Sequence, residues 1–253
     1  MARAAKSRRI PWRLIAILAA VGVVCAALAV AGIRFRRFAL TDPQFVLSRD
    51  RREALTVQGV RYASRGKILR IFVPDFDRSI FVTSLAERRR ELLALDWVDD
   101  ATVSRVWPDR LVVSVRERKP VAFVSFPTGV LLIDASGVLL DPPAQAQFAF
   151  PVLNGIREND SAAERHDKVR TFLRVQDDMG YLMKDISEVD AADPDSIRVV
   201  AQVGNRAVEL LLGDTNFARR FQNFLDHYAE IQTHSPEGKL FDLRLEDRIT
   251  AKE

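Results

Sequence analysis

The chain has 253 residues, 48% of them hydrophobic and 28% charged, a balance that excludes intrinsic disorder and suits an anchor followed by two modest domains. A sequence pI of 9.4 would point to nucleic acid only if positive charge gathered on the folded part. Arg3, Lys6, Arg8, Arg9 and Arg13 all precede the apolar segment, however, and without them 33 basic residues face 34 acidic ones.

Leu14 to Ile33 is a run of twenty residues without a charge. At about 1.5 Å per residue this run spans the roughly 30 Å of a bilayer's hydrocarbon core. Trp12 stands where an interfacial aromatic belongs, and Arg34, Arg36 and Arg37 close the other end. A cleaved signal peptide is the competing reading, because Ala27-Leu28-Ala29 and Ala29-Val30-Ala31 have the small-x-small pattern of a cleavage site. The run is longer than a signal peptide's apolar core, which favours a retained anchor. Five basic residues before the span and three after it place residues 1–13 in the cytoplasm and the bulk of the chain across the membrane.

Beyond the span, Leu55 and Val57 with the turn residue Gly59 suggest a first strand, and Gly66 to Phe72 a short helix ended by Pro74. Ser84-Leu85-Ala86-Glu87 has the capping-box pattern, and Leu85, Leu92 and Leu95 form a helical stripe reaching Trp97. The run Arg88-Arg89-Arg90, flanked by Glu87 and Glu91, reads as a solvated helix face. Ala101, Val103 and Val106, then Leu111, Val113 and Val115, alternate with polar residues around Trp107-Pro108-Asp109-Arg110. This spacing predicts a β-hairpin with a structural Trp107 at its turn, and completes the order β-α-α-β-β over residues 45–119.

Residues 120–251 are richer in strands. Val121, Phe123 and Val130 to Ile133 lead into the turn Asp134-Ala135-Ser136-Gly137, and Pro142-Pro143 opens an irregular stretch. Ser161-Ala162-Ala163-Glu164 is a second capping box, starting a helix through Val169, Phe172 and Leu173 that stops near Gly180. Ile197 to Val203 and Ala207 to Leu212 flank Gly204-Asn205, a two-residue hairpin turn. Phe217, Phe221, Phe224, Leu225, Tyr228 and Ile231 mark an amphipathic helix. Phe241, Leu243 and Leu245 then alternate with Asp242 and Arg244, predicting a half-buried strand near the end of the sequence. The fold class is α+β: one membrane helix, the β-α-α-β-β module, and a mixed β-rich domain with helices on its sheet.

Catalytic patterns are not evident. The sequence has no phosphate-binding glycine loop and no nucleophile elbow. Cys25, the one cysteine, lies within the apolar run. His166, His227 and His234 lack a second His or Cys at ligand spacing. The pairs Asp75/Asp77 and Asp99/Asp100 read as Asp-rich turns, since nothing near them would drive two carboxylate pKa values apart. A non-enzymatic protein without cofactor or metal is expected.

The string from Trp97 to Phe123, WVDDATVSRVWPDRLVVSVRERKPVAF, joins a helix exit, an Arg-x-Trp-Pro hairpin and a Glu-Arg-x-Pro-Val-Ala crossover. With LLIDASGVLL (Leu131 to Leu140), PVLNG (Pro151 to Gly155) and DLR (Asp242 to Arg244) in order behind it, the chain resembles the FtsQ/DivIB family of bacterial division proteins. That resemblance implies a POTRA domain and a following β-domain, both periplasmic. It also implies a scaffold at the division septum that binds the small coiled-coil proteins FtsB and FtsL, and through them governs the septal cell-wall synthase. The short flanks at either end fit a double-membrane bacterium better than DivIB. In this family the partner pairs with the last strand of the β-domain, which by position comprises Leu243, Arg244, Leu245, Glu246, Asp247, Arg248 and Ile249, reaching about Thr250. Leu245 departs from relatives with an aromatic at this place. Physically, a strand near a terminus is often a sheet edge able to accept another strand, and the charges at Arg244, Glu246, Asp247 and Arg248 would equally serve to block aggregation. A POTRA-bearing factor for outer-membrane protein assembly or secretion is the second reading, although repeated POTRA modules and a many-stranded barrel are not seen.

Overall fold

The structure, a computed structural model, describes residues 12–144, 146–245 and 248–252. The expected basic tail therefore lies almost wholly outside the described residues, as do Glu246 and Asp247 of the expected edge. Two compact units divide the chain: Met1–Gly59, Ser64–Leu92 and Ala101–Val115 form the first, and Val60–Ala63, Leu93–Asp100 and Arg116–Glu253 the second.

Helix α1 runs Trp12–Thr41 without a break, so the helix continues eight residues past the apolar run that defines the span. Gly22 and Gly32 lie within it without breaking it, and the first proline after Trp12 is Pro43. Asp42, whose carboxylate accepts the Gln44 N–H at 3.0 Å, ends it by capping a 3-10 turn at Pro43–Phe45. Strand β1 (Leu55–Gln58), helices α2 (Arg65–Ile71) and α3 (Leu85–Leu93), and strands β2 (Val98–Val106) and β3 (Arg110–Glu117) follow in the β-α-α-β-β order. The sheet order is β1-β3-β2, with β1 parallel to β3. Ser64 caps α2 by accepting the Lys67 N–H. Period-two burial puts Leu55 and Val57 on the core side of β1, and Leu111, Val113 and Val115 on that of β3. Phe45, Ile68, Phe72, Ile80 and Leu92 fill the remaining core of the first unit. Gly59 has to be glycine: φ is +77°, and a Cβ there would lie 2.1 Å from the Val115 carbonyl oxygen.

Three expectations need correction here. Arg88 does not belong to a solvated face. Its guanidinium is 12% exposed, binds the Asp75 carboxylate at 2.6 Å and reaches Glu91 at 2.8 Å, while the neighbouring Arg89 Nε donates to the Ala101 carbonyl. Asp75 is correspondingly a buried ion-pair partner on a 3-10 turn and not a loop aspartate. Trp107, at the tip of the β2–β3 hairpin, is 62% exposed and not a core residue.

Among the described residues the second unit is built on nine strands in the order β12-β11-β10-β9-β8-β7-β4-β5-β6. These are β4 (Pro120–Phe126), β5 (Gly129–Asp134), β6 (Leu139–Leu140), β7 (Val152–Asn154), β8 (Ile186–Asp190), β9 (Ile197–Val203), β10 (Arg206–Gly213), β11 (Leu240–Asp242) and β12 (Thr250–Lys252). Helices α4 (Ala162–Met179) and α5 (Phe217–His234) complete the unit. The Ser161/Glu164 capping box forms in full at the start of α4, with Ser161 accepting the Glu164 N–H and Glu164 accepting the Ser161 N–H. Gly204 and Asn205 turn β9 into β10. Val169, Phe172 and Val175 of α4 and Phe217, Phe221 and Phe224 of α5 pack with Val189, Val199, Ala201, Val208, Leu210 and Phe241 of the sheet into one core.

Candidate partner-binding edge

The sheet ends on β12, the strand that sets the geometry of the expected site. Register pairs Leu240, Phe241 and Asp242 of β11 with Lys252, Ala251 and Thr250 of β12, antiparallel, and β11 in turn lies parallel to β10. Among the described residues β12 has a strand on one side only. Its other side presents backbone groups to which an extended segment can add.

The expected strand from Leu243 onward is therefore misplaced. β11 stops at Asp242, because the Asp242 carboxylate draws the Arg244 N–H to itself at 3.2 Å and takes the Arg244 guanidinium at 2.7 Å. An aspartate that bonds the amide two residues on competes with the strand ladder and turns the chain. Leu243 stays anchored, with its N–H donating to the Leu211 carbonyl at 2.9 Å and its side chain 3% exposed. Leu245 swings outward and is 54% exposed, whereas Ile249 returns to pack against the core. Arg248 is exposed. Among the described residues the edge strand comprises Thr250, Ala251 and Lys252, and of the residues singled out in the sequence Leu243, Arg244, Leu245, Arg248 and Ile249 lie outside any strand.

A groove of about 240 Å³ is lined by Arg219, Arg220 and Asn223 of α5 together with Leu243, Leu245 and Ile249. Its floor is apolar and one wall is basic. The Arg220 guanidinium donates to the Leu212 carbonyl and is set close over Gly213, where a Cβ would lie 2.7 Å from its terminal nitrogen and 3.2 Å from Arg244 Cγ. Asp242, hydrogen-bonded to Arg244, raises that guanidinium's pKa above its ordinary value. The basic wall was missed in the sequence. Arg219, Arg220 and Asn223 stand one to four residues apart on α5, a spacing that aligns a polar face, but reading α5 for its phenylalanine stripe alone leaves that face unassigned.

The other candidate polar residues have structural partners. His227 and His234 each hydrogen-bond the carbonyl four residues back in α5, at 2.9 Å. Asp99 and Asp100 both face Arg116, at 2.8 and 3.6 Å. Among the described residues no group of three or more His, Cys, Asp or Glu is placed to hold a metal ion.

Among the described residues one helix is long and apolar enough to cross a membrane, and with the β-α-α-β-β module and mixed sheet that follow it this is the organisation of a single-pass membrane protein with a folded extramembrane part. Residues 51–118 match the family model described as POTRA domain, FtsQ-type, and residues 122–244 that of cell division protein FtsQ/DivIB, C-terminal. The cell division protein FtsQ of Koribacter versatilis is 34% identical over 253 residues, covering 98% of this chain and 70% of that protein. FtsQ of Novosphingobium aromaticivorans is 30% identical over 196 residues, covering 77% of this chain and 59% of the relative. FtsQ of Syntrophotalea carbinolica is 25% identical over 266 residues, covering 98% and 89%. The chain belongs to the FtsQ/DivIB family of cell division proteins.

Proposed function

We propose that this chain is a non-enzymatic scaffold of the division machinery, whose β12 edge and adjoining groove receive small coiled-coil membrane proteins of the FtsB and FtsL kind. Its N-terminus is cytoplasmic, its folded part periplasmic, and its place of work the septum, where it links those partners to the cell-wall synthase. The POTRA module extends over residues 45–119 and the β-domain over 120–251. The observation that carries this reading is the open edge of β12 beside a groove with an apolar floor and a basic wall. An added strand would gain affinity from backbone bonds to Thr250–Lys252, and a neighbouring apolar or acidic side chain would gain specificity from the groove.

The test is binding of the purified full chain, in nanodiscs, to a peptide from the membrane-distal end of an FtsB-like partner. Proline is substituted in turn at Thr250, Ala251 and Lys252. Successive amides of a strand point to opposite sides, so at least one proline removes a donor from the free edge. Loss of binding by a variant that melts like wild type supports strand addition. Full binding by all three, each still folded, refutes it.

A further inference from the structure

We infer that the tip of the β2–β3 hairpin is a second membrane contact, with Trp107 seated in the headgroup layer of the same bilayer that α1 crosses. The starting observation is a chain of rings within the first unit. Phe38, on the last turns of α1, meets Phe45 edge-on with ring centres 5.6 Å apart, and Phe45 meets Trp107 edge-on at 5.5 Å. Phe81 closes the group, 5.2 Å from Phe45 and 5.7 Å from Trp107. Phe45 is buried beneath the others, but Trp107 is 62% and Phe38 47% exposed. Phe35, one turn earlier on α1, is 66% exposed, and Val82 beside Phe81 is 41% exposed. The result is an aromatic patch that runs from the membrane helix onto the hairpin.

Depth along α1 decides what covers this patch. If the hydrocarbon core ends near Ile33 and Arg34, Phe38 lies about 6 Å further along the helix axis. The headgroup layer on each side is about 5–7 Å thick, so Phe38 stands within it. Trp107 is only two ring contacts away. Tryptophan favours this layer, because its ring is apolar while its N–H finds water or a headgroup oxygen. Arg34, Arg36 and Arg37 line the same level and would draw anionic headgroups to it.

The connection is also stiff enough to hold the tip there. α1 passes into the 3-10 turn through Asp42, whose N–H donates to the Phe38 carbonyl at 3.0 Å and whose carbonyl accepts the Phe45 N–H at 3.1 Å. Ser79 Oγ donates to the Ala39 carbonyl at 2.8 Å, and Leu47 exchanges backbone bonds with Arg78 and Asp77. Contact at Trp107 would then fix the tilt of the POTRA module over the membrane, with the helix as one foot and the hairpin as the other. This inference rests on α1 crossing the bilayer and is independent of the partner-binding edge.

The experiment uses the full chain in nanodiscs of phosphatidylethanolamine and phosphatidylglycerol. A nitroxide is attached either to native Cys25 or, in Cys25→Ala/Trp107→Cys, at the tip, and collision with oxygen and with a water-soluble nickel chelate reports depth. Tryptophan quenching by headgroup nitroxide lipid is compared between wild type and Trp107→Phe. The expected result is hydrocarbon depth at Cys25, headgroup depth at residue 107, and quenching that falls in the phenylalanine variant. A residue 107 label as open to nickel as a free label in water, with equal quenching of both proteins, overturns the inference while leaving the span intact. A solvent-exposed Cys25 label overturns the span, and the second contact with it.

Discussion

The carboxylate of Glu117 and the backbone of Ala63 meet at 2.6 Å, with Oε1 accepting the Ala63 N–H. The same oxygen also accepts the N–H groups of Arg61 and Tyr62, each at 2.8 Å. Three consecutive amides thus converge on one half-buried carboxylate, in the arrangement that backbone nests use for anions. Tyr62 continues the contact into an aromatic group with Trp97 at 5.3 Å and Phe148 at 5.4 Å, and Trp97 Nε1 donates to the Asp141 carbonyl. Glu117→Ala removes the shared acceptor and strands the buried Ala63 amide, so a loss of about 2 kcal/mol is expected. Glu117→Gln keeps an oxygen without the charge and is expected to lose about half as much. Thermal melting of the three proteins checks the order. Equal stability of the alanine variant and wild type would show that water satisfies all three amides.

Asp75 and Arg88 make a pair of the opposite kind, with both partners nearly out of solvent. Removing one partner of such a pair leaves a charge without compensation. Asp75→Ala is expected to cost about 3 kcal/mol, moderated because Arg88 keeps Glu91. Asp75→Leu/Arg88→Met restores neutrality and is expected to recover most of that loss. Urea unfolding with the double variant no more stable than Asp75→Ala would contradict this account.

Trp107→Ala is expected to cost about 1 kcal/mol, since the ring has edge-on partners but is mostly exposed. A core tryptophan would cost about 3–5 kcal/mol. A drop of that size in a melting experiment would mean that the ring is far better covered than its 62% exposure implies.

Acidification provides a separate test on α4. Lys168 beside Asp160, bonded at 2.6 Å, holds that carboxyl below its usual range, helped by the Arg157 N–H. The Ser161 N–H, helped by its hydroxyl, does the same for Glu164. A carboxyl whose folded pKa lies below its unfolded value adds stability that is complete above the unfolded pKa of about 4 and disappears as pH falls through the folded value. The melting temperature should therefore decline on going below about pH 4. Lys168→Met should make that decline shallower. An unchanged slope would show that the Lys168 pair contributes nothing to acid sensitivity.

The elements most legible in the sequence were those whose periodicity had no competitor. Leu111, Val113 and Val115 alternate without a side chain able to capture the backbone, and β3 forms where expected. The Ser161 capping box carries both of its partners within four residues, so its geometry is local and readable. The terminal strand failed because alternation of Phe241, Leu243 and Leu245 says nothing about Asp242 bonding the Arg244 amide. β8 went unseen because Ile186 and Val189 are its only buried residues, too few to show a period. Arg88 was misjudged since no pattern places Asp75, thirteen residues earlier, beneath it. The groove was hidden for the same reason: its basic wall and its leucines are brought together only by the packing of α5 against the end of the sheet.

Leu245 gives the partner-binding proposal its sharpest test short of proline. Its side chain is more than half exposed at the groove, while Leu243, two residues earlier, is buried and holds the fold. Leu245→Ala should therefore change stability by less than about 0.5 kcal/mol, as surface substitutions usually do. If a partner's apolar side chain enters the groove, the same substitution should weaken binding by about 1–2 kcal/mol, roughly five- to thirty-fold. Arg219→Glu should weaken it further and make the remaining affinity less sensitive to salt, because the rim charge steers and orients an acidic segment. Leu243→Ala serves as the contrast, expected to destabilise the domain by about 2–5 kcal/mol from the cavity it leaves. Titration calorimetry on nanodisc-held protein at two salt concentrations separates these effects. Wild-type affinity in folded Leu245→Ala and Arg219→Glu alike would remove the groove from the interface and leave β12 alone to account for binding.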